Sequence, residues 1–187
     1  MAFSTSDIMD IFQNRAGKQY GGEAVSQLEH ALQCADLAEK AGETDETIVA
    51  ALLHDLGHLV TAPNPDTPDN TLERDDLHQY LAMPFLRGVF PDAVLEPIRL
   101  HVDAKRYLCG AEPSYWETLS PESKRSLTLQ GGPYTEHALS HFIAQPFAHE
   151  AVRLRRYDDL AKIPHKETPS LDYFAQKLMQ VSITSGQ

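Results

Sequence analysis

From Glu23 to Lys40 the apolar residues Ala24, Leu28, Ala31, Leu32, Ala35, Leu37 and Ala38 recur every three or four positions, the period of a helix with one buried face. Residues 4–15 carry a shorter stretch of the same kind, with Ser4, Thr5 or Ser6 available to cap its first turn. Gly42 stops the 23–40 helix, and Thr44 begins another in which Ile48–Leu53 is apolar on every side, so that this helix belongs at the centre of the molecule. Helical spacing resumes at 73–87, at 91–108 after Pro91, and at 121–130, where Ser120-Pro121-Glu122 places a capping hydroxyl before a first-turn proline. Gly131-Gly132-Pro133 ends that piece, and three further helices fit 135–144, 146–160 and 169–181. The segment 61–70, TAPNPDTPDN, reads as a surface loop. No stretch alternates with a period of two for long enough to require a sheet, so the expected fold class is all-α.

Composition narrows the function more than the fold. A chain of 187 residues is one ordinary domain and folds without a staple of disulfides or metal. Its 16 Lys and Arg against 27 Asp and Glu leave a net charge of −11, which argues against nucleic acid or an anionic membrane as partner. No apolar run approaches the length of a membrane span, and the N-terminus lacks a basic-then-apolar leader. The two cysteines, Cys34 and Cys109, suit a reducing compartment, so a cytoplasmic enzyme with a small-molecule partner is the expectation.

Chemistry concentrates in the histidines. There are nine, and the pair His54-Asp55 lies inside AALLHDLGH. A carboxylate there is costly to bury unpaired, and a metal ion would both neutralise it and engage the imidazole. His30 (QLEHALQCA), His78 (DDLHQYLAM), His101 (IRLHVDAKRY) and Asp158 (RLRRYDD) offer ligand-type side chains from four other apolar neighbourhoods, which a helical bundle can aim at one interior point. Singly, each histidine is explained as a hydrogen-bonded core residue; together with the His-Asp pair they are not.

The order His30, His54-Asp55, Asp158 resembles the HD-domain superfamily of helical bundles, and His78 and His101 between them resemble its dinuclear members. The resemblance implies a single HD domain over residues 1–187 with its core at about 20–160 and short helical extensions at both ends. It assigns His30, His54 and Asp158 to one metal and His78 and His101 to the other, with Asp55 bridging. The segments YGGEAVSQLEH (20–30), HDLGH (54–58), HVDAKRYL (101–108) and SPESKRSLTLQGGP (120–133) are similar to a small branch of HD oxygenases, more distantly related to myo-inositol oxygenase. That branch uses a mixed-valent Fe(II)/Fe(III) pair and O2 to split the C–P bond of 1-hydroxyalkylphosphonates. The activity implied is conversion of a 1-hydroxy-2-(amino or methylated-ammonio)ethylphosphonate to glycine, or an N-methylated glycine such as betaine, plus phosphate.

The remaining residues agree with an anionic substrate. Lys105 follows His101 by one helical turn, His58 follows His54 likewise, and Arg155 shares a face with Asp158. Ser123, Ser126 and Gln130 form one stripe of hydrogen-bond donors that a phosphonate dianion requires. Each also has an ordinary reading as solvated surface. By resemblance Tyr20 can occupy an iron position until substrate displaces it, and Glu23 faces the substrate's amino end. Gly21 and Gly22 then leave room for a methylated ammonium. Catalytic roles fall on Asp55, His58 and Lys105. Two rivals share these ligands: an HD phosphohydrolase of a nucleotide or phosphate ester, and a silent ligand-binding HD module.

Overall fold

The computed structural model describes residues 3–20, 22–60 and 77–183; the loop expected at 61–70, the first residues of the 73–87 pattern and Gly21 lie outside them. Twelve helices follow one another among the described residues: α1 Thr5–Arg15, α2 Gln27–Lys40, α3 Asp45–Leu53, α4 Leu56–Val60, α5 His78–Leu81 and α6 Met83–Leu86. They continue as α7 Asp92–Ala111, α8 Tyr115–Thr118, α9 Pro121–Leu129, α10 Glu136–Ile143, α11 Ala148–Leu160 and α12 Leu171–Val181. No strand occurs among them, only isolated bridges joining Gln19 to Ser26 and Arg87 to Phe90. The all-α expectation holds.

Local chemistry sets the helix starts. Ser4 caps α1 and exchanges hydrogen bonds with Asp7, and Ser26 does the same for α2 with Glu29, whose backbone N–H lies 3.1 Å from the serine hydroxyl. The helix expected from Glu23 therefore begins at Gln27, because Tyr20–Val25 is held as a loop by the Tyr20 N–H to Val25 carbonyl bond of 2.8 Å. Thr44, Ser120 and Ser170 cap α3, α9 and α12 with their side chains.

The apolar positions on α3 behave as their pattern requires. Every residue from Thr47 to Leu53 is buried, and α3 packs against α2, α7, α11 and α12. Ile8 and Phe12 of α1 and Phe174 and Leu178 of α12 join the same core, so both ends of the chain dock on the bundle. Burying each such side chain contributes roughly 1.5–3 kcal/mol. A second cluster (Leu100, Ala104, Phe142, Ala148, Ala151) ties α7 to α10 and α11.

Three departures from the sequence reading matter. The helix through His54-Asp55 breaks there: α3 ends at Leu53, His54 caps it, and α4 starts at Leu56. The single helix expected over 73–87 is two one-turn helices among the described residues. Leu77 sits in the left-handed region at φ 54°, and Pro84, in the first turn of α6, cannot donate the bond that would continue α5. The short helix α8 was not anticipated by the periodicity.

Candidate metal centre

Four helices and one helix break deliver the ligand-type side chains. His30 comes from the first turn of α2, His54 and Asp55 from the break, His78 from the first turn of α5, His101 from mid-α7 and Asp158 from the last turn of α11. The pattern of breaks explains their convergence. The left-handed Leu77 turns α5 inward, and Gly57 admits it: a Cβ at that position would lie 2.0 Å from the His78 carbonyl oxygen. All six residues are buried, from 0% exposure at His30 and His54 to 7% at His78.

Each of three imidazoles is fixed from behind. Nδ1–H of His30 donates to the Ala161 carbonyl (2.9 Å), that of His54 to Ala51 (2.9 Å) and that of His101 to Ile98 (2.7 Å). Carbonyls only accept, so the proton is on Nδ1 and the lone pair on Nε2. These Nε2 atoms, with that of His78, lie in two facing pairs. His30 Nε2 lies 3.3 Å from His54 Nε2, and His78 Nε2 lies 3.0 Å from His101 Nε2.

Asp55 stands between the pairs and divides its oxygens. Oδ2 is 3.3 Å from His54 Nε2 and 3.7 Å from His30 Nε2, whereas Oδ1 is 3.3 Å from His78 Nε2 and 3.7 Å from His101 Nε2. Asp158 completes the His30 side, with Oδ1 at 3.5 Å from His30 Nε2. Asp55 Oδ2 and Asp158 Oδ1 are buried without a hydrogen-bond partner among the described residues. Converging lone pairs beside orphaned carboxylate oxygens fit divalent or trivalent cations and little else, since the same atoms would otherwise repel one another.

Electrostatics point the same way for His30 and His101, whereas, against the effect of burial, Asp55 raises the His54 imidazole above its ordinary range. Burial pushes the His30 and His101 imidazoles below their ordinary range, keeping them neutral as metal ligands must be. Against the opposing effect of burial, His54 and His78 hold the Asp55 carboxyl well below the usual carboxylate range, and Arg155 holds Asp158 low. Both acids are anionic at neutral pH.

The structure also brings together most of the residues expected to line a substrate. Lys105 is buried and donates to Ser126 Oγ at 2.7 Å. The His58 ring stacks on His78 with centroids 4.1 Å apart and places Nε2 3.8 Å from Asp55 Oδ1. The Tyr20 ring stacks on His30 at 4.0 Å. Ser123 is buried on the same α9 face as Ser126, and Gln130 caps the end of that helix. A Cβ at Gly22 would meet only Glu122, at an ordinary 3.6 Å, while Gly21 lies outside the described residues.

Arg155 is less available than its position in sequence implies. Its guanidinium bonds Asp158 Oδ2 at 2.6 Å, pairs with Asp159, and reaches Tyr115 and Ser123 hydroxyls at 3.4 Å. It fixes Asp158 so that the other oxygen faces His30. Tyr115 donates to Asp159 from the unanticipated α8.

Three participants were missed in the sequence. Cys34, one helical turn after His30, places Sγ 3.7 Å from His30 Nε2; burial and the nearby Asp158 push its thiol well up, so it remains protonated in this setting. Lys162, one turn after Asp158, bonds Glu23. Asp159 follows Asp158 directly, and its role as partner of Arg155 and Tyr115 emerges only in three dimensions. Spacing of four from a ligand was the available signal for Cys34 and Lys162.

The fold and this His/Asp constellation define a class, and comparison with known proteins agrees: residues 28–131 match the HD domain family, to which the chain belongs. Hydroxymethylphosphonate dioxygenase of Gimesia maris is 42% identical over 169 residues, covering 90% of this chain and 83% of the relative. The [1-hydroxy-2-(trimethylamino)ethyl]phosphonate dioxygenase (glycine-betaine-forming) of Leisingera caerulea is 37% identical over 171 residues, covering 91% and 86%. An uncharacterized protein of Acanthamoeba polyphaga mimivirus is 32% identical over 183 residues, covering 95% and 81%. Among the described residues no helix is long and apolar enough to cross a membrane.

Proposed function

We propose that this chain is a single-domain HD oxygenase that uses two iron ions, Fe(II)/Fe(III), and O2 to cleave the C–P bond of a small 1-hydroxyalkylphosphonate. The overall reaction is R–CH(OH)–PO3²⁻ + O2 → R–COO⁻ + HPO4²⁻ + H⁺: the C–P bond breaks, C1 is oxidised and O2 is reduced. With an aminoethyl or N-methylated substrate the carboxylate is glycine or a betaine. The observation that carries the reading is the split carboxylate of Asp55 between two facing pairs of imidazole Nε2 atoms.

In this reading His30, His54 and Asp158 would hold one iron and His78 and His101 the other, with Asp55 shared between them. Bound there, the metals would supply activation of O2 and a positive seat for the substrate's hydroxyl and phosphonate oxygens. The chain's own residues do the rest. The backbone carbonyls of Ala161, Ala51 and Ile98 lock three imidazoles in the ligating tautomer. Arg155 neutralises and orients Asp158. Lys105 and Ser126, already joined, present a cation and a hydroxyl to the phosphonate, with Ser123, Gln130 and His58 beside them. The Tyr20 ring covers the His30 face of the centre.

The test is anaerobic reconstitution with iron followed by metal analysis, EPR and Mössbauer spectroscopy. Oxygen uptake and phosphate release from hydroxymethylphosphonate and 1-hydroxy-2-aminoethylphosphonate are then measured. Two irons per chain, a mixed-valent signal and one phosphate per O2 are expected. Phosphate release from phosphate esters without O2 would instead establish the phosphohydrolase reading.

A further inference from the structure

Around the polar lining, every carboxylate among the described residues is already engaged. Asp55 and Asp158 face the imidazoles, and Asp159 is held by Arg155 and Tyr115. Glu122, beside Gly22, pairs with Arg125, and Glu23 is closed off by a cation of the chain itself. Lys162 Nζ donates to Glu23 Oε1 at 2.7 Å, to Ser123 Oγ at 3.1 Å and to Ser120 Oγ at 3.2 Å, and the Ser120 hydroxyl donates to the same Glu23 oxygen at 2.6 Å. Both charged side chains are only 13% exposed, and the ammonium lies 5.9 Å from the Tyr20 ring centroid. The pair thus adjoins the serine that reaches Arg155 and the tyrosine that covers His30.

A substrate ammonium needs a carboxylate in so enclosed a place, because an unpaired buried charge is strongly disfavoured. The carboxylate within reach that serves neither imidazole nor arginine is Glu23, and it is occupied. We propose that Lys162 is a specificity-determining residue: as the resident counter-ion of Glu23 it competes with a charged nitrogen on the substrate, so that the site favours hydroxyphosphonates with a compact or uncharged C1 substituent. The inference rests on the oxygenase reading above and concerns only which member of that substrate class is preferred. An ammonium-bearing substrate gains Glu23 only by breaking the Lys162 pair, whereas an uncharged one leaves it intact.

An isosteric comparison tests this. In 1-hydroxypropylphosphonate a methyl group replaces the ammonium of 1-hydroxy-2-aminoethylphosphonate with little change of shape. With the iron-loaded protein, kcat/KM from phosphate release and Kd from anaerobic equilibrium binding should both favour the propyl compound by tenfold or more, with hydroxymethylphosphonate also accepted. Lys162→Met, which keeps the apolar stem, should move the ratio at least tenfold toward the aminoethyl compound. Adding Glu23→Gln to it should bring the ratio close to one. Ratios cancel any general loss of phosphonate binding caused by removing a positive charge. Should Lys162→Met fail to fold, Lys162→Gln supplies the same comparison, and the wild-type ratio stands by itself. Equal or tighter binding of the ammonium compound by the wild type, or an unchanged ratio in the variant, overturns the proposal. Absence of O2-dependent phosphate release from all three phosphonates would instead overturn the oxygenase reading itself.

Discussion

Gly57→Ala adds one methyl group to a residue outside the proposed ligand set, yet it should cost the protein one of the two metals proposed for it. The added Cβ would lie 2.0 Å from the His78 carbonyl oxygen, 2.7 Å from its carbon and 2.9 Å from its Cα, all backbone atoms that no rotamer change can move aside. Carbon–oxygen contacts settle near 3.3 Å, so α5 must retreat by about 1.3 Å. His78 Nε2 now sits 3.3 Å from Asp55 Oδ1 and 3.0 Å from His101 Nε2. Metal–ligand distances tolerate about 0.2 Å, so the His78/His101 position fails while the His30/His54/Asp158 position, on α2, the helix break and α11, keeps its ligands. Overpacking of this kind costs about 1–3 kcal/mol, against roughly 0.5–1 kcal/mol that alanine gains over glycine in a helix. For a chain of this size each kcal/mol is about 2–4 °C in Tm, so the net loss is a few degrees. Metal analysis after reconstitution should fall from two ions per chain toward one, and calorimetry should show the lowered Tm. A variant that binds two ions and melts at or above the wild-type temperature would refute the reasoning.

The other predictions address charge. Asp55→Ala should empty both metal positions and abolish the rise in Tm that metal gives the wild type; retention of two ions with full turnover would show that the carboxylate does not bridge. Burial, reinforced by Arg155, lowers the Lys105 ammonium from its ordinary 10.5 to about 7. It is therefore charged below pH 7 and neutral above, and kcat/KM for a phosphonate dianion should fall as pH rises through 7, a slope that Lys105→Met removes while the metals stay bound. Because the unfolded chain keeps this proton up to about pH 10.5, stability should carry a contribution from Lys105 that increases from pH 7 to 10.5, checked by urea titration of wild type against Lys105→Met. Arg155→Met leaves the buried Asp158 and the partly buried Asp159 without their cation and should cost about 3–5 kcal/mol, read from the same titration, together with weakened metal binding.

The candidate ligand set was legible because its members violate their surroundings. His54-Asp55 interrupts an apolar run, and His30, His78 and His101 recur in helical apolar faces where a polar ring needs a reason. Lys105, on the face of His101, and Ser126, in the stripe with Ser123 and Gln130, were each legible as polar lining, and the structure joins them at 2.7 Å. The capping hydroxyls of Ser4, Thr44 and Ser120 could be read directly, since a cap acts within three residues. What was missed depends on longer reach. The start of α5 at a left-handed Leu77 is a conformation that local sequence disfavours, and the break at Ala82 ahead of Pro84 divides α5 from α6.

Periodicity and a handful of out-of-place polar residues thus determined the helical class, the order of the helices and the identity of the metal-ligand candidates, because burial periodicity and desolvation cost are properties of local sequence. Only the tertiary structure decided which oxygen of Asp55 faces which imidazole pair, that Gly57 must lack a side chain for α5 to approach, and that Arg155 is spent on Asp158 and Asp159. It alone also joined Lys162 to Glu23 across a separation of 139 residues. Such pairings are fixed by how α2, α9 and α11 pack, and an ion pair between distant segments leaves no periodic trace along the chain.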